Sequence, residues 1–367
     1  MLENLSEKII KASNKDRQAL IGFDGFVDKI YHPVKSKNKS KKEYYQEIQE
    51  FGNRLIRAAG LSCDIDIDLM TIKPGGNAPI MANALGCLDL KTTAIIPVTE
   101  YERLFQDYMS ENTSIISIGE PALSFVLEFQ DGKVMLGDTH SFKKINWKSI
   151  QDRAGALIPD KLNEYQLLGL TNWSHFNQMS AIWQNILLEV EKYCFKQKSL
   201  LFVDLADCQG RTTVDILDML LLLKKFRKYY QVILGLNVNE AVDIGKKVCQ
   251  GKNELFNIGN YLLEQGYIDE IVIHPVAKAL FLNEHQKAMI SIPKIEKPVI
   301  TTGGGDNFNA GYCWAKIHDF NSLEATVIGT LTASLYVKTG QSPNRKELVA
   351  YLEKIKPEII INNKGAE

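Results

Sequence analysis

The stretch Pro298–Ala315, PVITTGGGDNFNAGYCWA, places three consecutive glycines directly before an aspartate. Glycine inside a regular element costs about 0.5–1 kcal/mol relative to alanine, so a run of three is a poor way to extend a strand or a helix. The apolar residues before the run predict the end of a strand, and the spacing of Phe308, Tyr312 and Ala315 predicts a helix after it. The glycines are therefore expected at a strand-to-helix junction.

The three glycines, Gly303, Gly304 and Gly305, have the properties of an anion-binding site. The first turn of a helix has unpaired N–H groups and carries about half a positive charge. Without Cβ atoms, the preceding turn can aim more N–H groups at one point and admit a phosphate. Asp306 could simply cap the helix, but a cap explains the aspartate and not the glycines. A general base beside an anion hole explains both, which indicates phosphoryl transfer to a hydroxyl.

The rest of the chain predicts an α/β fold with a mostly parallel central sheet. Short, continuous apolar runs are typical of strands that are buried on both faces. Segments of helical period lie between several of these runs, which favours helices on both faces of the sheet. Ligands on such sheets lie beyond the carboxyl ends of the strands. The predicted strands begin at Ala19, Thr92, Gln166, Ser199, Tyr230 and Asp269.

The segment Ala122–Asp138 breaks this pattern and predicts an antiparallel hairpin. Asp131 and Gly132 supply the residues of a tight turn. The apolar face needs cover from the main domain, a ligand or a second subunit. Two interpretations stay open, a small lid over a site or an edge hairpin packed on the core. The apolar residues that alternate along the segment are Leu123, Phe125, Leu127 and Phe129.

Composition excludes several other classes of protein. With 43 Lys and Arg against 44 Asp and Glu in 367 residues, the net charge of -1 does not favour a nucleic-acid partner. No apolar run approaches the roughly 18 residues that span a membrane, and the N-terminus has no signal-peptide core. The 6 cysteines form no C-x-x-C pair, which argues against a zinc site or a disulfide framework. A cytoplasmic location is expected.

The stretch TTGGGDNFNAG, Thr301–Gly311, resembles the signature D-T-x-G-A-G-D-x-F-x-x-G of the ribokinase-like (PfkB) carbohydrate kinases. The resemblance covers most of the chain and implies a ribokinase-like three-layer sandwich with a mostly parallel central sheet. It also implies a single domain, 1–367, with a small β lid formed mainly by about 115–140, to which part of 29–45 is a further candidate. The earlier segments similar to the family are GFDGFVDKI at Gly22–Ile30, KPGGNAPIMANALGCL at Lys73–Leu88, FVDLADCQGR at Phe202–Arg211 and LNVNEA at Leu236–Ala241.

The resemblance implies ATP-dependent phosphorylation of a hydroxyl on a sugar or sugar-like molecule, with Mg²⁺ as the metal. Asp306 would be the general base, and the backbone of Gly303, Gly304 and Gly305 would hold the γ-phosphate. Asp28 would bind the sugar, with Asp24 as a competitor for this role. The other residues implied for the sugar are Gly75, Gly76 and Asn77. Those implied for the nucleotide and its metal are Asn237, Thr302, Asn309 and Glu240, the last acting with Asn237 on Mg²⁺ through water.

Four departures from the family pattern keep a second function open. The first aspartate of the late signature is Ile300, its alanine is Gly304, and the second asparagine after Gly-Gly is Ile80. The segment HPVAKA, His274–Ala279, replaces a nucleotide-side T-x-G-x-x-G stretch, and His274 is expected to be a packed or surface histidine. The alternative is a sugar-binding pseudokinase that senses a ligand or supports a partner. A homodimer through the lids would cover their apolar face.

Overall fold

The computed structural model describes residues 2, 4–38, 41–155, 162–192, 198–274 and 278–362. They form a large sheet of ten strands, a small sheet of five strands, and helices around them. The strands are β1 (Gln18–Gly22), β2 (Phe26–Lys37), β3 (Lys42–Tyr44), β4 (Ile67–Gly75), β5 (Lys91–Ile96), β6 (Thr113–Ser117), β7 (Ala122–Glu128), β8 (Lys133–Asp138), β9 (Leu167–Leu170), β10 (Ser199–Asp204), β11 (Tyr230–Leu236), β12 (Glu270–Ile273), β13 (Lys278–Asn283), β14 (Lys287–Ser291) and β15 (Ile360–Asn362). The α-helices are α1 (Leu5–Lys11), α2 (Ile48–Arg57), α3 (Asn77–Cys87), α4 (Glu102–Tyr108), α5 (Trp147–Ala154), α6 (Met179–Val190), α7 (Thr213–Phe226), α8 (Val238–Lys247), α9 (Leu255–Glu264), α10 (Gly304–Ile317), α11 (Ser322–Thr339) and α12 (Arg345–Ile355).

The large sheet has the strand order β15-β14-β13-β12-β11-β10-β9-β1-β5-β6. From β12 to β6 every neighbouring pair is parallel, whereas β13, β14 and β15 are antiparallel at one edge. The six strands predicted from apolar runs are β1, β5, β9, β10, β11 and β12, which are adjacent in this sheet. The prediction of an α/β fold with a mostly parallel sheet is confirmed.

Helices cover both faces of the large sheet, because its central strands are apolar on both sides. In β1, Leu20 packs into a core with residues of α5 to α9, whereas Ala19 and Ile21 pack into a second core with residues of α1, α3 and α10 to α12. The exposed fractions of these three side chains are 0–1%. The result is a three-layer sandwich. No helix in the described part of the chain combines the length and apolarity needed to span a membrane.

The small sheet is joined to the carboxyl end of β1, since β2 begins four residues after β1 ends. β2 lies between β4, which is antiparallel to it, and β7, which is parallel to it. β3 pairs with the outer part of β2, and β8 pairs with β7. The segment 113–117 belongs to the large sheet as β6, so the small sheet takes less of 115–140 than the sequence predicted, and it also includes β4, which was not predicted.

A helix that the sequence analysis did not predict covers part of the small sheet. Leu127 and Phe129 are buried with Phe51 of α2 and with Tyr45. Asp131, in the turn between β7 and β8, accepts a hydrogen bond from the backbone N–H of Ile48 at 2.9 Å and so holds the start of α2. Part of this apolar face is therefore covered by α2, without a ligand or a second subunit.

The segment before the glycines is not a strand, contrary to the sequence prediction. β14 ends at Ser291, and the chain is irregular from there to the start of α10. Pro293 and Pro298 have no N–H group to donate to a ladder. The N–H group of Val299 instead donates to the carbonyl of Val337 in α11 at 2.9 Å. The three glycines therefore join a loop, not a strand, to a helix.

Candidate functional site

The turn before α10 requires glycine at Gly303. This residue is the N-cap of α10 and has a φ of 91°, in the left-handed region that favours glycine. A Cβ atom here would also lie 2.8 Å from the hydroxyl of Tyr336. The first N–H groups of α10 belong to Gly304, Gly305 and Asp306, and a first turn has no intrahelical acceptors for such groups. The positive end of the helix dipole therefore lies at this turn.

Asp306 is the third residue of α10 and is 7% exposed. One of its carboxylate oxygens accepts a hydrogen bond from Nδ2 of Asn77 at 2.9 Å. Burial, and then the negative charge of Asp204, raise the pKa of Asp306 well above its ordinary value, while the Asn77 hydrogen bond lowers it. Because Gly303 is the N-cap, Asp306 is not needed as a cap. A buried carboxyl with a raised pKa in the first turn of a helix is suited to proton transfer.

The carboxylate of Asp24 is buried completely and joins three elements. It accepts hydrogen bonds from the backbone N–H groups of Asn77 and Ala78 at 2.7 and 2.8 Å, at the start of α3. It also accepts from Oγ1 of Thr171 and Nδ2 of Asn172, each at 3.0 Å, directly after β9. Four donors from the protein saturate this group, so Asp24 holds the site together and has little capacity left for a substrate.

Asp28 has a different environment from Asp24. It lies on β2 between Lys73 of β4 and Ser124 of β7. Burial raises its pKa, which the charges of Lys73 and Lys133 and a hydrogen bond from Ser124 partly lower. A Cβ atom on Gly75 would lie 2.5 Å from its carboxylate, so the glycine provides the space that Asp28 occupies. Asp28 keeps acceptor capacity for a ligand and is the better candidate for the sugar.

Two cavities adjoin the predicted nucleotide residues. One of about 270 Å³ is lined by Gly304, Gly305, Phe308 and His274, among others, next to the first turn of α10. The other, of about 410 Å³, is lined by residues of α8 and of the loop after β10, which include Asn237, Glu240, Asp207 and Lys246. The first adjoins the candidate anion hole directly.

Asn237 and Glu240 form a reciprocal cap at the start of α8. Oδ1 of Asn237 accepts from the N–H of Glu240 at 3.0 Å, and the Glu240 carboxylate accepts from the N–H of Asn237 at 2.9 Å and from its Nδ2 at 2.6 Å. Burial, and then the charge of Asp204, raise the pKa of Glu240 to about 9. Among the described residues, no three His, Cys, Asp or Glu side chains are grouped closely enough to hold a metal ion.

The remaining predicted residues lie apart from the cavities or are packed. Asn309 is buried and donates to Asp204 at 2.8 Å. The carbonyl of Thr302 accepts from the Tyr336 hydroxyl at 3.2 Å. The His274 ring packs at 4.9 Å on Phe308, and burial lowers its pKa to about 4. Residues 275–277 of the divergent segment lie outside the described residues.

Sequence reasoning gave no role to Asp204, Thr171 or Asn172. All three lie at or directly after the carboxyl end of a buried parallel strand, β10 or β9. That position is where ligand sites occur in open α/β sheets. A polar residue directly after a predicted buried strand was therefore the signal that could have found them.

The fold matches solved sugar kinases over nearly the whole chain. A ribokinase from Thermotoga maritima has a TM-score of 0.59 at 16% identity, with 92% of this chain and 99% of that chain covered. A candidate ribokinase II from E. coli, solved with ATP and Mg²⁺, has a TM-score of 0.63 at 13% identity, with 92% and 99% covered. Fold and site together define a carbohydrate kinase of the ribokinase-like (PfkB) type.

Sequence comparison identifies the family within this class to which the chain belongs. A ketohexokinase from Haloferax volcanii is 21% identical over 365 residues, which cover 95% of this chain and 97% of that protein. The model of the prokaryotic ketohexokinase family matches residues 3–355, and the chain belongs to this family. Of the two functions that the sequence left open, this membership supports the enzyme.

Substitution of the two competing aspartates separates their roles. Asp24→Asn places an amide N–H₂ among four donors, so we expect it to lower the free energy of unfolding by about 1–3 kcal/mol. Asp28→Asn removes a desolvated charge, so the melting temperature should hardly change. Because Asp28→Asn also removes a charged acceptor for a sugar hydroxyl, it should raise KM for the sugar roughly 10–100-fold. Denaturant unfolding and steady-state kinetics measure the two effects, and the reverse pattern would exchange the two assignments.

Proposed function

We propose that this protein catalyses ATP-dependent phosphorylation of a hydroxyl of a ketohexose, with Asp306 as the general base. The observation that carries the proposal is the burial of Asp306 in the first turn of α10, beside the N–H groups of Gly304 and Gly305. The name of the Haloferax volcanii relative supports a ketohexose as the substrate.

In the proposed reaction, Asp306 takes the proton from the sugar hydroxyl that attacks the phosphoryl group. Asn77 holds the carboxylate by its 2.9 Å hydrogen bond, and Asp28 binds another hydroxyl of the sugar. The N–H groups of Gly304 and Gly305 stabilise negative charge that develops on the phosphoryl group. ATP supplies this phosphoryl group and leaves as ADP. With its adenine in the 270 Å³ cavity, the phosphates of ATP would adjoin the first turn of α10.

Mg²⁺ fits next to Glu240 when it is shared with nucleotide phosphates. Mg²⁺ prefers oxygen ligands, keeps several waters and is usually bound by one or two carboxylates together with phosphates. Glu240 lies close enough to Asp204, Asp207 and Asp306 for their charges to raise its pKa. This local excess of negative charge favours a cation. It supports a Mg²⁺ ion in the cavity lined by Asn237 and Glu240, with water between the ion and these side chains. The E. coli structure, which contains ATP and Mg²⁺, supports ATP and Mg²⁺ as the ligands proposed for this protein.

We also propose a homodimer through the small sheets, in a cytoplasmic enzyme. Phe125 lies opposite Leu136 on one side and Lys29 on the other, and Lys29 lies opposite Ile72. Leu136 is 55% exposed and Ile72 is 38% exposed on this face, beyond the part that α2 covers.

The described cysteines Cys63, Cys87, Cys208, Cys249 and Cys313 are free thiols, which fits a reducing compartment.

Asp306→Asn tests the base directly. Asparagine keeps the size of the side chain and removes the proton acceptor, and general-base catalysis is typically worth about 10²–10⁴ in rate. We expect kcat for ketohexose phosphorylation to fall by this factor while the melting temperature and sugar affinity hardly change. In the unmutated enzyme, kcat should fall as the pH falls through a pKa above the ordinary aspartate value, because the base must be ionised. A variant with near-normal turnover would remove Asp306 as the base.

Glu240→Gln tests the metal. Glutamine retains most of the cap at the start of α8 but removes the charge that favours the cation. Calorimetric titration of the unmutated protein with ATP should show tighter binding as Mg²⁺ is raised, and this dependence should weaken in the variant. Asp269→Asn, which removes a carboxylate paired with Arg227 at 2.9 Å and outside the lining of the cavity that contains Glu240, is the control and should keep the dependence. Identical Mg²⁺ dependence in Glu240→Gln and the unmutated protein would exclude Glu240.

Leu136→Glu tests the dimer. A charge on the exposed part of the small sheet should separate the subunits, since a buried unpaired charge in an interface is costly. Light scattering should give twice 41.4 kDa for the unmutated protein and about 41.4 kDa for the variant. Leu221→Glu, at a position of α7 that is 48% exposed, is the control and should stay dimeric. A monomeric unmutated protein would refute the proposed dimer.

A further inference from the structure

A chain of side-chain hydrogen bonds leads from the loop after β9 to Asp306. Nδ1 of His175 lies 2.7 Å from Oδ1 of Asn172. Nδ2 of Asn172 donates to Oδ1 of Asn77 at 3.0 Å and also to Asp24 at 3.0 Å. Nδ2 of Asn77 then donates to Asp306 at 2.9 Å. Two carboxamides thus connect the exposed His175 to the candidate base.

The orientation of the two carboxamides, those of Asn172 and Asn77, follows from the carboxylates to which they donate. Asp24 receives two backbone N–H groups, so both its oxygens act as acceptors and only the N–H₂ side of Asn172 can face it. With its N–H₂ group in that position, Asn172 also donates to the carbonyl oxygen of Asn77. The N–H₂ group of Asn77 is then left to face Asp306. A rotation of the Asn77 amide by half a turn would place two oxygens together at Asp306 and two N–H₂ groups together at Asn172.

We infer that Asn172 is a positioning residue for catalysis, which acts by holding the Asn77 carboxamide with its N–H₂ group towards Asp306. The inference rests on the proposed role of Asp306 as base. Asn172 is 2% exposed, so it acts on the base through Asn77 and not by contact with the sugar. Without this hold, Asn77 can rotate, and its oxygen would face the carboxylate that it now stabilises. Small errors of position at a reacting centre reduce kcat strongly.

The backbone at Asn172 allows a clean substitution. Its φ of 56° lies in the left-handed region, which glycine adopts without strain. Asn172→Gly therefore removes the carboxamide and keeps the turn. Thr171→Val is the matched control, because Thr171 is the neighbouring residue, donates to the same Asp24 carboxylate at 3.0 Å, and makes no contact in the chain to Asn77.

The test is a double-mutant cycle with Asn172→Gly and Asn77→Ala, measured with a ketohexose and Mg²⁺-ATP. Residues that act through one another show coupled effects. We expect Asn172→Gly to lower kcat about tenfold with less than a twofold change in KM for the sugar. In the Asn77→Ala background it should lower kcat less than about twofold further. Thr171→Val, which removes a donor from Asp24 but none from the hydrogen bonds to Asn77, should lower kcat less than Asn172→Gly does.

Equal losses from Asn172→Gly in both backgrounds would overturn the inference, and so would a normal kcat in Asn172→Gly. If Asp306→Asn abolishes turnover while Asn172→Gly is silent, the inference alone fails and the proposed function stands. A crystal structure of Asn172→Gly gives a readout independent of activity. We expect the Asn77 amide to leave Asp306, and a retained contact near 2.9 Å would contradict the inference even if no ketohexose is phosphorylated.

Discussion

The candidate site depends on the buried carboxylate of Asp24. Its four hydrogen bonds join the segment after β1 to the start of α3 and to the residues after β9. These contacts place Asn77 at the first turn of α3, opposite Asp306 at the first turn of α10. The four hydrogen bonds offset part of the cost of burying this carboxylate, although burial still raises its pKa. Asp24 therefore acts as a fixed centre from which the groups proposed to bind and to react are positioned.

The same edge of the sheet concentrates negative charge. Asp204 ends β10, Glu240 lies in the first turn of α8, and Asp306 lies in the first turn of α10. Burial is the largest cause of the raised pKa of each of the three, and the charge of Asp204 adds to the pKa of both others. The carboxyl ends of parallel strands and the starts of the helices that follow them meet at one edge, which explains why these groups are close. Helix N-termini and a cation shared with substrate phosphates are the available sources of positive charge.

Most of the main fold could be predicted because its signals are local. Strands that are buried on both faces produce continuous apolar runs, and all six that were predicted lie together in the large sheet. The helix after the glycines was also predicted from its apolar spacing. The prediction of a strand before Gly303 was wrong, because the N–H groups of Val299 and Ile300 donate to the Val337 carbonyl of α11 and the two prolines cannot donate to a ladder.

The small sheet and the fine structure of the site were less accessible from sequence. β4 is exposed along most of its length, and a shift in its pairing with β2 at Met70 breaks the alternation of its apolar residues. The start of α2 is held by Asp131, which is distant in the chain. Asn309 has the spacing of a site residue, yet its side chain faces inward to Asp204. The choice between Asp24 and Asp28 could not be made from sequence, since it depends on how many donors tertiary contacts bring to each carboxylate.

In the proposed reaction, Asp306 and the first turn of α10 bind the two reacting groups. A crystal structure with a ketohexose, a non-hydrolysable ATP analogue and Mg²⁺ tests it most directly. We expect a sugar hydroxyl within hydrogen-bond distance of the Asp306 carboxylate and the terminal phosphate against the N–H groups of Gly304 and Gly305. A sugar bound with all its hydroxyls away from Asp306, or a terminal phosphate bound away from this turn, would contradict it.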